Sequence, residues 1–531
     1  MKKYLRMTGA LFAALLMVLS LFGCSGESAD SETPGSSTNT GGNIDPASRE
    51  TLEFTYLRPV WGAATYTKDG PYEQELFTRA NVKINVQIIP VAEYDAKAKL
   101  VISSRNLPDV MWALGPVDAS WRDVENQGAF KDLSSLIDSH PEVKATSSDF
   151  IWDMMRNEDG GIYFIPHSTA TEVPFFMYYR KDWFDQLGIA EPTTIGELEA
   201  ALEKIKAEMP DVIPMTVGLG ETRWMFKDIA TSFGAVMNSW QPSPDDANLL
   251  IPSFMTAEQK DYLFWLQDIR RRGLLDAEAD LNPDFSHGKQ KFMTGRAAAY
   301  PGGYPDYLEI SQILLENDPN AEIGIMSPLT GPTGIKGGTR ANLPLDRGFY
   351  IAESVDDEKA AAIFDFLEWT LTDGHDFIKY GIEGKMHTVV DGKKVRIPES
   401  KREDAYKQAQ IEPLEFLSRQ EDLLDFDDYK SQFEAIGIGD QYDYWKSKFD
   451  EYCSNKSYDY LNATLTSPTN ADKGSQLQES YLNGVFGAII LDSSVTRNDY
   501  DRAVQSWLDA GGQNIIDEFN SLQEDKSQPD Y

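Results

Sequence analysis

What most limits the fold of this chain is a rhythm that begins at Leu52. Leu52, Phe54 and Tyr56 alternate with polar neighbours, the two-residue period of a strand with one buried face. A loop with Pro59, Trp61, Tyr66 and Gly70 follows, and residues 72–80 read as a helix. Ile84, Val86 and Ile88 alternate again, and Tyr94 to Ile102 suits a second helix. Leu107-Pro108-Asp109-Val110-Met111-Trp112 then ends a loop and opens a buried strand. Strand, helix, strand, helix, strand implies an α/β fold with a mostly parallel sheet.

Further along, residues 160–180 hold two aromatic runs around a polar bend. Thr194 with Glu197 forms a capping box, and Leu198, Ala201, Leu202, Ile205 and Met209 share one helical face. Thr256 with Gln259 starts another helix, with Tyr262, Trp265, Leu266 and Ile269 inward and Gly273 as its stop. A third runs from Glu358 to Thr372, turns Ile363, Phe366, Leu367 and Leu371 inward, and stops at Gly374. The final quarter of the chain is helical in pattern, and no internal repeat occurs.

The first residues obey a different logic. Lys2, Lys3 and Arg6 precede an apolar run from Met7 to Phe22, then Gly23 and Cys24. A basic start, an apolar centre and a small residue at the cut mark residues 1–23 as a secretory signal peptide. Leu21-Phe22-Gly23-Cys24 resembles a bacterial lipobox, so Cys24 is expected to be acylated and to tether the protein to the outer face of the cell membrane. An uncleaved anchor is the alternative, but the run is short for a full span. Residues 24–50 are almost free of apolar side chains. They cannot repay the entropy of ordering, and read as a flexible linker.

The remaining chain, of 531 residues in all, is long enough for two or more domains. Its 85 acidic against 49 basic residues give a net charge of −36, which argues against a nucleic-acid partner. The same charge keeps it off anionic lipid except through the acyl tether. With Cys24 used at the lipobox, Cys453 stands alone, so neither a disulfide framework nor a thiolate metal cluster is expected. No Gly-rich phosphate loop, His-Glu-x-x-His or Gly-x-Ser-x-Gly is present. The histidines at 140, 167, 287, 375 and 387 lack metal spacing. Asp276, Glu278, Asp280, Asn282 and Asp284 alternate as calcium ligands would, without the Gly and Glu such a loop needs, and read as a solvated acidic loop. No cofactor, metal or catalytic residue is expected, although so many acids could conceal a glycosidase pair.

Several segments together carry a family resemblance. They are Leu107-Pro108-Asp109-Val110 with Trp112; Phe176-Met177-Tyr178-Tyr179-Arg180-Lys181-Asp182-Trp183-Phe184; and Pro192-Thr193-Thr194-Ile195-Gly196-Glu197-Leu198. Then come Gly273-Leu274-Leu275 leading to Phe292-Met293-Thr294-Gly295-Arg296-Ala297-Ala298; Pro328-Leu329-Thr330-Gly331-Pro332; and Gly381-Ile382-Glu383-Gly384-Lys385. In this order the chain resembles the extracellular solute-binding proteins of ABC importers, in the maltodextrin-binding superfamily and its large Gram-positive lipoprotein branch.

The resemblance implies a two-lobed periplasmic-binding-protein-like (type II) α/β fold with hinge strands and an interlobe ligand cleft. The crossings would lie near His167–Pro174, near Gly348–Ile351 and after the 358–380 region. Lobe 1 would be 51–168 plus 350–395, and lobe 2 169–349 plus 396–531. It also implies a lipid-anchored, extracellular, monomeric binding protein, not an enzyme, that captures an oligosaccharide or glycoside and hands it to ABC permease subunits. Two other classes stay open: a secreted surface glycoside hydrolase or other polysaccharide-acting enzyme, and a surface adhesin or sensor subunit.

Sugar sites combine aromatic faces with a few placed polar groups. Trp61 sits in the loop after the first strand, where open α/β sheets place ligands, unless it folds back on the core. Asp109 and Trp112 occupy the matching place after the second helix; Asp109 is otherwise a turn cap, and Trp112 otherwise core. His167 lies at the first crossing and could bond a hydroxyl, or be purely structural. Trp224 and Tyr304 sit on Gly-flanked loops, with Gly302-Gly303 marking close approach of a ligand or a turn. Arg347 could hold a carboxylate or a hydroxyl pair, or form a surface ion pair.

Overall fold

The computed structural model describes residues 50–60, 66–114, 119–157, 159–167, 170, 172–218, 226–237, 239–279, 285–341, 347–455, 457–458, 467–477, 480–481 and 484–522. The signal peptide, Cys24, nearly all of the linker, Trp61 and Trp224 lie outside the described residues.

Two sheets organise the chain. The first has five strands in the order Val82–Pro90, Leu52–Val60, Val110–Leu114, Arg347–Ile351, Phe164–Pro166. Its first three strands are parallel, as the strand–helix rhythm requires, with helices Pro71–Ala80 and Val91–Ser104 between them. Arg347–Ile351 enters much later in sequence and runs antiparallel to both of its neighbours. The alternation of Leu52, Phe54 and Tyr56 fades from Tyr56 onward, where every residue to Val60 is buried. A strand covered on both faces has no polar side to show.

The second sheet orders Ile323–Ile325, Phe175–Arg180, Ala297–Gly303 and Ile213–Met215. Phe175–Arg180 is antiparallel to both neighbours, while Ile213–Met215 lies parallel to Ala297–Gly303.

Each sheet has its own apolar core. The first core takes buried side chains from 54–165, 349–386 and 411–417, the second from 176–329 and 433–519. The chain therefore passes between lobes three times. The first passage follows Ile165, within the expected region. Phe349 and Ile351 belong to the first core, so the second passage precedes Arg347 instead of lying at Gly348–Ile351. Ile411, Leu414, Phe416 and Leu417 also belong to the first core, so the third passage follows Leu417 and not residue 395. The approach to it is a string of short turns, Glu399–Lys401, Asp404–Tyr406 and Glu412–Leu414, whose sequence has no helical or strand period to betray its partner.

Helices Ile195–Glu208, Ala257–Arg271 and Asp357–Leu371 match the periodicity. The Thr194 hydroxyl accepts the Glu197 N–H at 3.1 Å, but the Glu197 carboxylate turns to the N–H and hydroxyl of Thr193, at 2.8 and 2.7 Å, so the expected reciprocal box closes one residue early. Among the described residues no helix is long and apolar enough to cross a membrane.

Gly348 lets the late strand in. A Cβ there would come 2.2 Å from the Ile165 carbonyl oxygen and 2.2 Å from the Phe164 ring. Gly348→Ala should therefore cost about 1–3 kcal/mol through overpacking, read as a lower urea midpoint. The control Gly196→Ala meets nothing within 4 Å inside a helix and should leave the midpoint unchanged or raise it.

Candidate functional site

Register fixes which side chains meet at the carboxyl end of the first sheet. Tyr56 pairs with Val110, Trp112 with Phe349, Leu114 with Arg347, and Pro166 with Gly348. Side chains alternate faces along each strand, so Arg58, Trp112, Arg347 and His167 share one face. They fill two successive levels across adjacent strands, Arg58 beside Trp112 and Arg347 beside His167, at the end from which the chain departs for the second lobe. The His167 N–H donates to the Arg347 carbonyl at 3.0 Å, extending the last pairing toward the passage.

Arg58 organises this group. It is 3% exposed, and a buried guanidinium is tolerated only when its donors are taken. They bond the carbonyls of Pro59 at 3.2 Å, Glu415 at 3.1 Å and Glu412, and the Glu412 carboxylate at 3.3 Å. The guanidinium carbon also lies 4.8 Å above the Trp112 ring and 5.9 Å from that of Tyr56. The Tyr56 ring in turn stacks on Phe416 at 4.6 Å. Burial pushes the Tyr56 phenol above its ordinary range, and the neighbouring Arg58 opposes that only in part.

Trp112 packs against the His167 imidazole at 5.1 Å. The Tyr94 hydroxyl lies 2.6 Å from the Trp112 carbonyl and 3.3 Å from that of Leu57, bridging two strands just past their last paired residues.

On the second lobe, Phe175 starts its strand directly after the first passage. Its N–H donates to Asp228 Oδ2 at 2.7 Å, and Lys227 Nζ lies 5.3 Å over its ring. Lys227 and Asp228 are both buried, at the start of helix Lys227–Ser232. The first two passages are tied together by a bridge between Glu172 and Ala341, and Arg340–Ala341 pairs in parallel with Ser457–Tyr458.

The third passage is held by charge. His375 Nε2 lies 2.6 Å from Asp422 Oδ2, and Lys379 binds both Asp422 and Asp425, the latter at 2.8 Å. Asp425 caps helix Phe426–Ala435 by accepting the Asp428 N–H at 2.9 Å, and Arg396 pairs with Asp428. Burial resists the charge on Asp422, but hydrogen bonds from Lys379 and His375 outweigh it and hold the carboxyl below its usual range. Away from the hinge the lobes touch again, where helix Ala119–Asn126 packs against helix Pro468–Leu477.

Trp112, His167 and Arg347 thus come together, and two other candidates do not join them. Asp109 lies at the opposite end of its strand. There it accepts the Thr55 N–H at 2.7 Å and hydroxyl at 2.9 Å and pairs with Lys359 at 2.9 Å. Burial opposes this charge too, yet those bonds hold the carboxyl below its usual range. Tyr304 is 6% exposed, packed among Tyr429, Trp445 and Phe449 in the second core. At Gly302 the close approach comes from the protein's own rings: a Cβ would lie 2.4 Å from Tyr300 and 3.0 Å from Tyr178.

In the alternating acidic stretch, Asp276 is buried and used by Lys291 at 2.7 Å and by Thr216 at 2.9 Å; Asp280, Asn282 and Asp284 lie outside the described residues. Among the described residues no group of His, Cys, Asp or Glu could hold a metal ion.

Sequence reasoning missed Arg58, Glu412, Lys227 and Asp228. Arg58 did leave a trace, because it falls on the inward register of Phe54 and Tyr56, where a charge is out of place. Lys227 and Asp228 left none.

Comparison with known proteins places this geometry in context. A family model described as bacterial extracellular solute-binding protein matches residues 71–374. The polygalacturonan/rhamnogalacturonan-binding protein YtcQ of Bacillus subtilis (strain 168) is 21% identical over 476 residues, 86% of this chain and 90% of its own. Lipoprotein LipO of the same organism is 20% identical over 543 residues, 98% of this chain and 99% of its own. The crystal structure of alginate-binding protein AlgQ2 without calcium ion superposes with a TM-score of 0.69 at 16% identity, over 89% of this chain and 98% of that one.

The charged tie at the third passage has a pH signature. A carboxyl whose folded pKa is depressed contributes stability above its unfolded value, about 3.9, and loses it as pH falls through the folded pKa. Urea midpoints of the wild type should exceed those of Asp422→Asn at pH 7, with the gap closing from about pH 5 to pH 3. A gap that stays constant over that range would remove the carboxylate from the account.

Proposed function

This chain belongs to the bacterial extracellular solute-binding proteins, and on that premise we propose that it captures an oligosaccharide outside the cell by closing two lobes around it. The reading is carried by the group of Arg58, Trp112, Arg347 and His167, which lies at the root of two lobes that the chain joins three times. Relatives named for polygalacturonan, rhamnogalacturonan and alginate support a glycan as the class of ligand. The lobes of this reading are 51–166 with 347–417, and 175–341 with 424–522. Lipid attachment at Cys24 holds the monomer at the outer face of the membrane, and ABC permease subunits receive the ligand.

The mechanism is rotation about the passages, with no covalent step. The bridge between Glu172 and Ala341 and the hydrogen bond from His167 to Arg347 keep the first two passages side by side. Ligand contacts drive closure only by favouring the closed state over the open one, and a complete shift needs about 10⁴-fold tighter binding to the closed state.

Small-angle scattering and thermal melting with trigalacturonate, an alginate trimer, maltotriose and kestose test this. At least one sugar should reduce the radius of gyration and raise the melting temperature by mass action, about 2.7 kcal/mol at a hundredfold excess over Kd. No compaction with any of the four, or release of shorter glycans from them, would sink the reading. Cys24→Ser should move the protein from the membrane fraction to the medium; continued membrane retention of that variant would argue against acylation there.

A further inference from the structure

Trp112 stands in the group that defines the site, yet it is only 1% exposed. The Arg58 guanidinium lies over its ring at 4.8 Å, and the His167 imidazole packs against it at 5.1 Å, tilted by 56°. So enclosed an indole has no open face on which a sugar ring could stack. What it retains is an edge. The Nε1–H is buried and has no hydrogen-bond acceptor among the described residues, and an unpaired buried N–H is destabilising until something accepts from it.

Arg58 itself is not short of acceptors. Its bonds to Pro59, Glu415 and Glu412 fix the guanidinium, and the fixed guanidinium sets the plane of the indole beneath it. Polar capacity at this point of the sheet therefore lies with the indole edge and not with the cation. We propose that Trp112 donates its Nε1–H edge-on to an oxygen of the bound glycan, and that Arg58 is the positioning residue that holds the indole in that pose. The inference rests on the glycan-binding reading of the site. It gives the site a specificity: a sugar with an acceptor oxygen at this place is bound, and its deoxy analogue is discriminated against, because the buried donor is again left unpaired.

The test uses the mature chain, ¹⁵N-labelled at tryptophan, with whichever of the four sugars raises the melting temperature most. Trp112→Phe keeps an aromatic ring and removes the N–H, so its spectrum identifies the Trp112 indole resonance. On adding the sugar that resonance should move downfield in the wild type. Trp112→Phe should bind about tenfold more weakly while melting, without sugar, no lower than the wild type. Arg58→Met should displace the same resonance in the free protein and also weaken binding, which keeps the idea testable if Trp112→Phe does not fold. A Trp112 resonance that stays in place while scattering reports closure overturns the proposal, since an internal water then serves the donor. Undiminished affinity in Trp112→Phe overturns it too. If none of the four sugars binds the wild type, the glycan reading itself fails, and this inference falls with it.

Discussion

The architecture depends on one strand arriving late. Arg347–Ile351 wedges between Val110–Leu114 and Phe164–Pro166, antiparallel to both. Without it, Phe164–Pro166 has no partner in that sheet, and the first sheet ends at Val110–Leu114. The insertion obliges the chain to return to the first lobe after building most of the second, so at least two connections must run between the lobes. Two connections held side by side restrict relative motion to a rotation, whereas a single tether would allow the lobes to wander. Gly348 is the local condition for all of this, since only a residue without a Cβ fits between the Ile165 carbonyl and the Phe164 ring.

Arg58 has a comparable role for the third connection. Its guanidinium takes the carbonyls of Glu412 and Glu415 and the Glu412 carboxylate, docking the 411–417 segment onto the sheet. Phe416 completes the seam by stacking on Tyr56 and packing edge-on to Phe349. Burying a charge makes the choice of partner strict, because a misplaced segment would leave the cation unpaired. The same cation that fixes this segment also covers Trp112, so the third connection and the Trp112 indole are anchored by a single side chain.

Much of the fold was legible in the sequence. The strand–helix alternation from Leu52, the capped helices at Thr194 and Thr256, and the helix through Phe366 correspond to observed elements because each buries a face with its own period. The passages were harder to place. The 397–417 turns carry no period, and strand Arg347–Ile351 is too short and too fully buried to announce its neighbours. Of the candidate residues, Trp112, His167 and Arg347 stand on one face of the first sheet, because each lies beside an expected strand end. The place of Asp109 after the second helix suggests a ligand contact or a turn cap, yet Thr55 and Lys359 claim its carboxylate, and those partners are distant in sequence. The glycines before Tyr304 suggest a ligand loop, yet Gly302 serves the packing of Tyr300 and Tyr178. Arg58 went unnoticed because a charge inside an apolar strand reads as an edge until the segment covering it is known.

The interleaving of the first core has a consequence for how the molecule comes into being. Its buried side chains come from three separated stretches, the last ending at Leu417, so a growing or translocating polypeptide cannot finish this lobe until most of its length has emerged. Contacts this far apart in sequence slow assembly, because long loops must close before the pairing rewards them. Strands Val110–Leu114 and Phe164–Pro166 appear early and wait, edges uncovered, for a partner made much later. Export in an unfolded state and maturation beyond the membrane suit such a chain, and the interval before Arg347 arrives is when it is most exposed to aggregation and proteolysis.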